Sequence, residues 1–312
     1  MTGAIALVGL TAPHSKGWLT TLRHLPECER LLVSDPDGLG RDGLASPEES
    51  PDESAVEWID SIDDLLESDQ RPEMALLSVR NDQAAELAER FLRAGIACIV
   101  EKPCARSSEQ IARLNEAAST GGVIWAPAFM NRLLPVALRA RQIIAEGGVG
   151  RIVSVEGRMV TSTVSQRDPG HWLFDKSVAG GGILHWLAIH TVDLVRYLTG
   201  LEYTSVGAHI GTLSRTGIDV EDVAACSFQL QGGAVGSLHA GYVLRQRYGD
   251  IGLTIRGDLG EIDWPMWTWE GRGSTLYIHD EGPRSTGPGR EVVELTPADA
   301  PGYGGATGME FV

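Results

Sequence analysis

Apolar positions in the first 130 residues fall in short unbroken runs separated by stretches of helical period. The runs are Ala4 to Leu10, Leu31 to Asp35, Met74 to Val79, Gly95 to Val100 and Val123 to Phe129. Runs of this length, rich in Val, Ile and Leu, are the mark of parallel strands covered on both faces. Between them the pattern predicts helices from about Trp18 to Leu25 and over Val56 to Glu67. A third helix, capped by Asn81 or Asp82, runs to Ala94 and stops at Gly95. A fourth starts at the capping-box-like Ser107-Ser108-Glu109-Gln110 and reaches about Ala118. Strand–helix–strand units that repeat in this way imply a doubly wound parallel sheet through about residue 125. The stretch 36–54, rich in Pro, Gly, Ser and acid, reads as a solvated loop.

The pattern then changes. Leu134 to Ala145 reads as a helix ended by Gly147-Gly148, and Arg151 to Thr161 alternates as a half-exposed strand. Ser162 to Val178 is irregular and carries His171-Trp172. Gly180-Gly181-Gly182 leads into a helix, Ile183 to Leu198, stopped by Gly200. Strands then follow without intervening helices: 205–210, 220–229, 234–243, 251–257, 260–264, 275–279 and 291–295. This order implies a largely antiparallel sheet. The expected fold class is therefore α/β, with a Rossmann-type doubly wound sheet over residues 1–125. An α+β domain with a large open, mainly antiparallel sheet follows over 126–312.

Composition narrows the function classes. The 312 residues are 43% hydrophobic and 22% charged, the balance of a globular protein that folds in water. No unbroken apolar run approaches the ~20 residues of a membrane span, and Met1 to Ile5 lacks the plan of a signal peptide. The four cysteines (Cys28, Cys98, Cys104, Cys226) have no metal-type spacing and read as free thiols, so a cytoplasmic protein is expected. A net charge of −16 argues against nucleic acid or an anionic membrane as partner. An anionic cofactor stays possible, because helix N-termini bind phosphate locally.

Two places carry candidate chemistry. The first strand, a turn with Gly9, a helix and a second strand ending in Asp35 follow the plan of a dinucleotide-binding unit. Its glycine fingerprint is incomplete. With Gly9 as the first glycine, Thr11 and His14 stand where the second and third would be, so Thr11 must push the phosphates outward or bind them through its hydroxyl. Asp35 can accept both ribose hydroxyls and would repel a 2′-phosphate, favouring NAD over NADP; it also fits a turn-initiating acid before Pro36. Lys102, in Glu101-Lys102-Pro103, stands at a strand's carboxyl end, where open α/β sheets bind ligands. Three of the 26 basic residues are lysine (Lys16, Lys102, Lys176), leaving 23 arginines. Lys is a compact donor with a tunable pKa, unlike the Arg fork. As residues alone, Glu101 and Lys102 also fit a surface ion pair before a turn.

The second place is the helix after the glycine triplet. Leu184, Leu187, Val195 and Leu198, with Ala188 or Thr191, form its expected core stripe. Trp186, His190, Asp193 and Tyr197 fall on a neighbouring face with polar tips. Three successive glycines cost backbone entropy and suggest that something bulky lies against them. His190 by itself also fits a packed or capping histidine.

Taken in order, several segments give the chain a resemblance to the glucose–fructose oxidoreductase / inositol dehydrogenase (Gfo/Idh/MocA) family over nearly its whole length. They are Glu101-Lys102-Pro103, Asn131-Arg132, Gly147-Gly148-Val149-Gly150, Gly180-Gly181-Gly182 with His190-Thr191-Val192-Asp193, and Tyr197-Leu198-Thr199-Gly200. The resemblance implies a nicotinamide cofactor, a sugar, cyclitol or polyol substrate, and a homo-oligomer (dimer or tetramer) formed through the second domain's sheet. It implies that Lys102 and His190 act on the substrate hydroxyl. The expected cofactor residues are Gly9, Thr11, His14, Asp35, Ser78, Glu101, Lys102 and Arg132. Trp172, Lys176, His185 and Trp186 are expected on the substrate side, and no metal is expected. The sequence departs from the pattern in the glycine loop, and at Trp186, which stands where the family's usual catalytic Asp precedes the His by four. It also ends before the long C-terminal helix the resemblance predicts. Those departures keep two other readings open: a redox-neutral lyase or glycosidase that oxidises its substrate transiently, and a non-catalytic dinucleotide- or ligand-binding homologue.

Overall fold

The computed structural model describes residues 3–38, 56–67, 71–162, 167–214, 217–242, 249–268, 271–272, 274–280 and 289–312. Most of the acidic loop expected over 36–54 lies outside them. Two compact units emerge. One comprises Met1–Met130, Ser177–Gly180 and Ala298–Val312; the other comprises Asn131–Lys176 and Gly181–Pro297.

The first unit is a six-stranded parallel sheet in the order β3-β2-β1-β4-β5-β6. Its strands are β1 (Gly3–Val8), β2 (Cys28–Ser34), β3 (Glu57–Trp58), β4 (Met74–Leu77), β5 (Ala97–Val100) and β6 (Trp125–Pro127). The helices are α1 (Ser15–His24), α2 (Ile62–Glu67), α3 (Asn81–Arg93) and α4 (Ser108–Gly121). Alternation along each strand feeds two cores. Ala6, Val8, Leu32, Ala75, Leu77, Cys98 and Val100 pack with Ala88, Phe91 and Leu92 of α3 and Leu114 of α4. Ile5, Leu7, Leu31, Val33, Leu76 and Ile99 pack with Trp18, Leu19 and Leu22 of α1. Burial on both faces is why the strands read as unbroken apolar runs. Each fully buried Leu or Phe contributes about 1.5–3 kcal/mol.

The α1 side has a further cover. Tyr303, Met309, Phe311 and Val312 of the last segment pack on the same core. Residues 298–312, grouped with the second domain in the sequence reading, thus cluster with the first unit.

Two local expectations fail for identifiable reasons. Residues 56–67 do not form one helix. Glu57 and Trp58 pair with Leu32 and Val33 as an edge strand, and α2 starts only after Ser61. The Ser61 hydroxyl caps it, accepting from the Asp64 amide at 3.0 Å and donating to the Asp64 carboxylate at 2.7 Å. At α3 the N-cap is Arg80 without a side-chain cap bond. Asn81 instead donates from Nδ2 to the Ala179 carbonyl at 2.8 Å, and Asp82 pairs with Arg80. Ser107 does cap α4, accepting from the Gln110 amide.

The second unit is a nine-stranded sheet, β15-β14-β12-β11-β7-β10-β9-β8, with β13 added beside β12. The strands are β7 (Ile152–Thr161), β8 (Tyr203–Gly211), β9 (Val223–Leu230), β10 (Val235–Gly241), β11 (Gly249–Gly257), β12 (Gly260–Thr268), β13 (Gly271–Arg272), β14 (Thr275–Asp280) and β15 (Gly289–Glu294). All pairings are antiparallel except β7 with β10. Its helices are α5 (Pro135–Ala145) and, after the short α6 (Lys176–Ala179), α7 (Ile189–Thr199); α8 (Gly305–Phe311) closes the first unit. The helical stretch Lys176–Thr199 is long and apolar enough to cross a membrane by composition, yet over half of it is buried within the protein, as in a core helix.

Candidate functional site

The first unit gathers seven of the expected residues at the carboxyl ends of its strands. Gly9 follows β1 with φ +88°, and a Cβ there would stand 2.4 Å from Val79 Cγ1 and 2.7 Å from the Ser78 carbonyl oxygen. Only glycine fits that turn. The Gly9 amide donates to the Ser34 carbonyl at 2.8 Å, which ties the turn to the end of β2. Asp35 follows β2, and its Oδ1 accepts from the Leu10 amide at 3.1 Å. The turn then enters α1, whose first turn holds no acidic residue; the Ser15 amide donates to the Ala12 carbonyl at 3.1 Å. A glycine-only turn, a helix N-terminus without acids and a carboxylate just after β2 suit a dinucleotide. Ser78 is used differently: its hydroxyl and carbonyl both meet the Ser15 hydroxyl, at 2.9 and 3.0 Å, pinning α1 to the end of β4.

Thr11 and His14, the two residues in glycine positions, are engaged by the protein. The Thr11 hydroxyl donates to Asp37 Oδ2 at 3.0 Å. His14 Nδ1 lies 3.1 Å from Glu101 Oε1, and its ring stacks on Tyr303 with centroids 4.1 Å apart. Glu101 is nearly inaccessible and works as an anchor. Its Oε1 also accepts from Trp18 Nε1 at 2.7 Å, and its Oε2 from the Lys102 amide at 2.9 Å. Burial pushes the Glu101 carboxyl upward. Hydrogen bonds from His14 and Trp18 and the positive charges of His14 and Lys102 outweigh it, so the net shift is downward. Lys102 is 2% exposed, immediately after β5, with a cis peptide to Pro103. The surface-pair reading of Glu101 and Lys102 is thereby excluded.

The second unit holds the remaining expected residues. The helix after the glycine triplet opens as a π-turn, Leu184–Ala188, and continues as α7. The wider turn shifts the helix faces expected from a regular period. Trp186 is buried, whereas Leu184 and Leu187 of the expected core stripe are half-buried. His190, Thr191 and Asp193 face inward. The triplet's neighbour turns out to be Glu221, part of this chain. A Cβ on Gly182 would sit 1.9 Å from the Glu221 carbonyl oxygen. That carbonyl accepts from the Ile183 amide at 3.0 Å, while the carboxylate accepts from the Gly182 amide at 2.7 Å and the Leu184 amide at 3.2 Å. The pattern held no signal for Glu221, because its partners lie 37 to 39 residues away.

Trp172 meets Trp186 edge to face at 6.3 Å and stacks on His171 at 5.5 Å. Burial first, then the Arg167 charge, lowers the His171 pKa against Asp168, which favours the neutral ring. That state suits its role, since Nδ1 accepts from the Leu173 amide at 3.2 Å. The indole Nε1 of Trp172 is buried with no hydrogen-bond partner among the described residues. Lys176 is exposed, and His185 follows the glycine triplet, its Cβ 2.9 Å from where a Gly181 Cβ would stand. Arg132 belongs to this unit, where it grips Asp193 in a two-pronged pair and lies over the Tyr197 ring at 5.3 Å. Its guanidinium is thus committed to α7.

A family model described as an oxidoreductase family with an NAD-binding Rossmann fold matches residues 5–129. The GFO/IDH/MocA C-terminal domain model matches residues 137–263. The chain belongs to the GFO/IDH/MocA family. Among curated GFO/IDH/MocA relatives, levoglucosan dehydrogenase of Pseudarthrobacter phenanthrenivorans is 30% identical over 67% of this chain and 58% of its own length. Inositol 2-dehydrogenase of Rhizobium meliloti is 28% identical over 66% of this chain and 60% of its own. The chain therefore spans about three fifths of these two relatives. Among solved GFO/IDH/MocA structures, a levoglucosan dehydrogenase complex with NADH and L-sorbose aligns at TM-score 0.80 and 25% identity, over 99% of this chain and 87% of that one.

Proposed function

We propose that the protein is an NAD-dependent dehydrogenase that moves a hydride between a carbinol carbon of a sugar, cyclitol or related polyol and the nicotinamide. The observation that carries this reading is the group of residues at the carboxyl ends of β1, β2 and β5. It holds a glycine-only turn, a ribose-side acid and a buried lysine, within a family of NAD-binding oxidoreductases. The two named relatives are dehydrogenases, which gives the redox-neutral and binding-only readings no support.

The bound nicotinamide supplies the hydride acceptor. In our reading Gly9 and the α1 N-terminus receive the pyrophosphate, and Asp35 the adenosine ribose, selecting NAD over NADP. Ser78, Glu101, Thr11 and His14 shape that site from behind; Arg132 acts through Asp193. His190 takes the hydroxyl proton as general base. Lys102 donates a hydrogen bond to the developing alkoxide, which a dry, positively charged setting stabilises. Trp172 and Trp186 offer stacking surface to the apolar face of a sugar, with His185 and Lys176 beside them in sequence. A cytoplasmic location and a homo-oligomer through the second sheet belong to the same proposal.

The test is NADH formation at 340 nm, with product quantified in parallel, for Lys102→Met and His190→Ala. Levoglucosan and inositol, the substrates in the relatives' names, are the first to try. Each variant should lose on the order of 10²–10⁴ in kcat, the worth of a positioned proton-transfer group. Rates near wild type in both, or product without matching NADH, would overturn the assignment.

A further inference from the structure

We propose that Asp37 is a second coenzyme-selecting acid, fixed so that it, together with Asp35, bars a 2′-phosphate from the adenosine end of the site. The inference rests on the NAD reading above and names a determinant that the fingerprint does not contain.

The geometry is specific. Leu10 and Thr11, adjacent in the turn after β1, each bind one carboxylate from the segment after β2. The Leu10 amide donates to Asp35 Oδ1 at 3.1 Å, and the Thr11 hydroxyl donates to Asp37 Oδ2 at 3.0 Å. The other Asp37 oxygen accepts from Gln83 Nε2 of α3 at 2.7 Å. The Gln83 Oε1 is buried with no hydrogen-bond partner among the described residues, so the contact with Asp37 is what orients that amide. Asp37 is thereby clamped from two sides, by the loop after β1 and by the helix after β4.

Both clamping groups are uncharged, so they hold the carboxylate without cancelling its charge. No salt bridge reaches Asp37 among the described residues. A 2′-phosphate binder needs a cation at this place. Here the chain presents two acids instead, one of them immobilised. A fixed carboxylate cannot swing away from an incoming phosphate, as an exposed acid in a loop could. The clamp also explains Thr11: its hydroxyl hydrogen is spent on Asp37 and is not offered to the pyrophosphate.

Asparagine is the discriminating substitution. It keeps the shape of Asp37, still accepts from Thr11, and lets Gln83 turn its amide so that Oε1 accepts from the new NH2 group. Fold and clamp survive while the charge goes. The experiment is calorimetric titration of wild type, Asp35→Asn, Asp37→Asn and the double variant with NAD⁺ and NADP⁺. Adenosine 2′-monophosphate against AMP isolates the added phosphate. Asp37→Asn should improve the NADP⁺ to NAD⁺ affinity ratio on the order of 10- to 100-fold, the effect of removing one close like charge in a partly solvated cleft. NAD⁺ affinity should change less than about threefold, and the double variant should exceed either single one. If NAD⁺ binds and Asp35→Asn shifts the ratio while Asp37→Asn does not, Asp37 is no determinant and the proposal falls alone. If wild type binds no dinucleotide, the proposal and the NAD reading fall together.

Discussion

Glu101→Gln isolates the charge of the residue on which the first unit's site is anchored. The side chain is 7% exposed and accepts from Trp18 Nε1 and the Lys102 amide, with His14 Nδ1 3.1 Å from Oε1. Glutamine has the same shape but only one acceptor oxygen. Its NH2 group would face a donor, either the indole N–H or the Lys102 amide, and leave it buried and unbonded. An unsatisfied buried donor costs about 1–3 kcal/mol. Removing one partner of a buried charge pair costs about 3–5 kcal/mol in total, because the remaining charge is left uncompensated. We expect a loss of about 3–5 kcal/mol, which for a unit of this size lowers Tm by about 6–20 °C. Near-UV circular dichroism on heating and on urea titration reads the effect at pH 7. The pH dependence supplies a second check. The folded-state pKa of Glu101 lies below its ordinary 4.5. Its stabilisation is therefore complete above the unfolded-state pKa and disappears as pH falls through the lower folded value. The gap between wild type and Glu101→Gln should narrow only below about pH 4.5. A gap under about 0.5 kcal/mol at pH 7, the scatter of ordinary surface substitutions, would refute the anchor argument.

The other two predictions concern the second unit. Gly182→Ala should cost about 1–3 kcal/mol or more in urea unfolding, since the new Cβ must displace the Glu221 carbonyl from 1.9 Å; wild-type stability in that variant would show that the cap yields freely. Arg132→Lys keeps the charge but loses the two-pronged grip on Asp193. Because Arg132 is 39% exposed, solvent screens the pair, and about 1–2 kcal/mol is expected instead of the full buried-pair figure; an unchanged urea midpoint would mean the pair contributes nothing.

Much of the fold was legible because both units are built on local regularities. The parallel strands announce themselves as apolar runs between helical periods, and the alternation of β7 marks a sheet with one open face. What escaped is what depends on distant partners. Glu57 and Trp58 became a strand because the β2 edge was available to them, a tertiary fact that outweighs a weak helical pattern. The glycine triplet was read as a place of close approach, and at Gly182 the neighbour is the Glu221 backbone. Trp18 read only as the start of a helix and His14 as a residue in a glycine position; that Glu101 joins them from more than 80 positions away carried no local signal. The packing of residues 298–312 against α1 likewise rests on Tyr303 meeting Gly17 and Thr21, pairings that no periodicity encodes.

The acids of the second unit bear on Trp186, which in the proposed function is read as standing where the family's usual aspartate does. If Trp186 had displaced a proton-relaying carboxylate, a neighbouring acid could have taken over the task. Among the described residues, Asp193 lies on this helical stretch and Glu221 meets its start, and both are engaged. Asp193 gives both oxygens to Arg132, and Glu221 gives both to backbone amides at the helix start. A carboxylate whose lone pairs fix a helix terminus or grip a guanidinium is a poor proton carrier, because protonation would break the bonds that place it. Trp186 itself is buried against Trp172, in a setting that suits stacking on C–H groups and would penalise a charge. In the proposed mechanism the substitution therefore trades a relay for a binding surface. Proton acceptance then falls to His190 without help from Asp193 or Glu221, and substrate positioning falls more heavily on the aromatic wall.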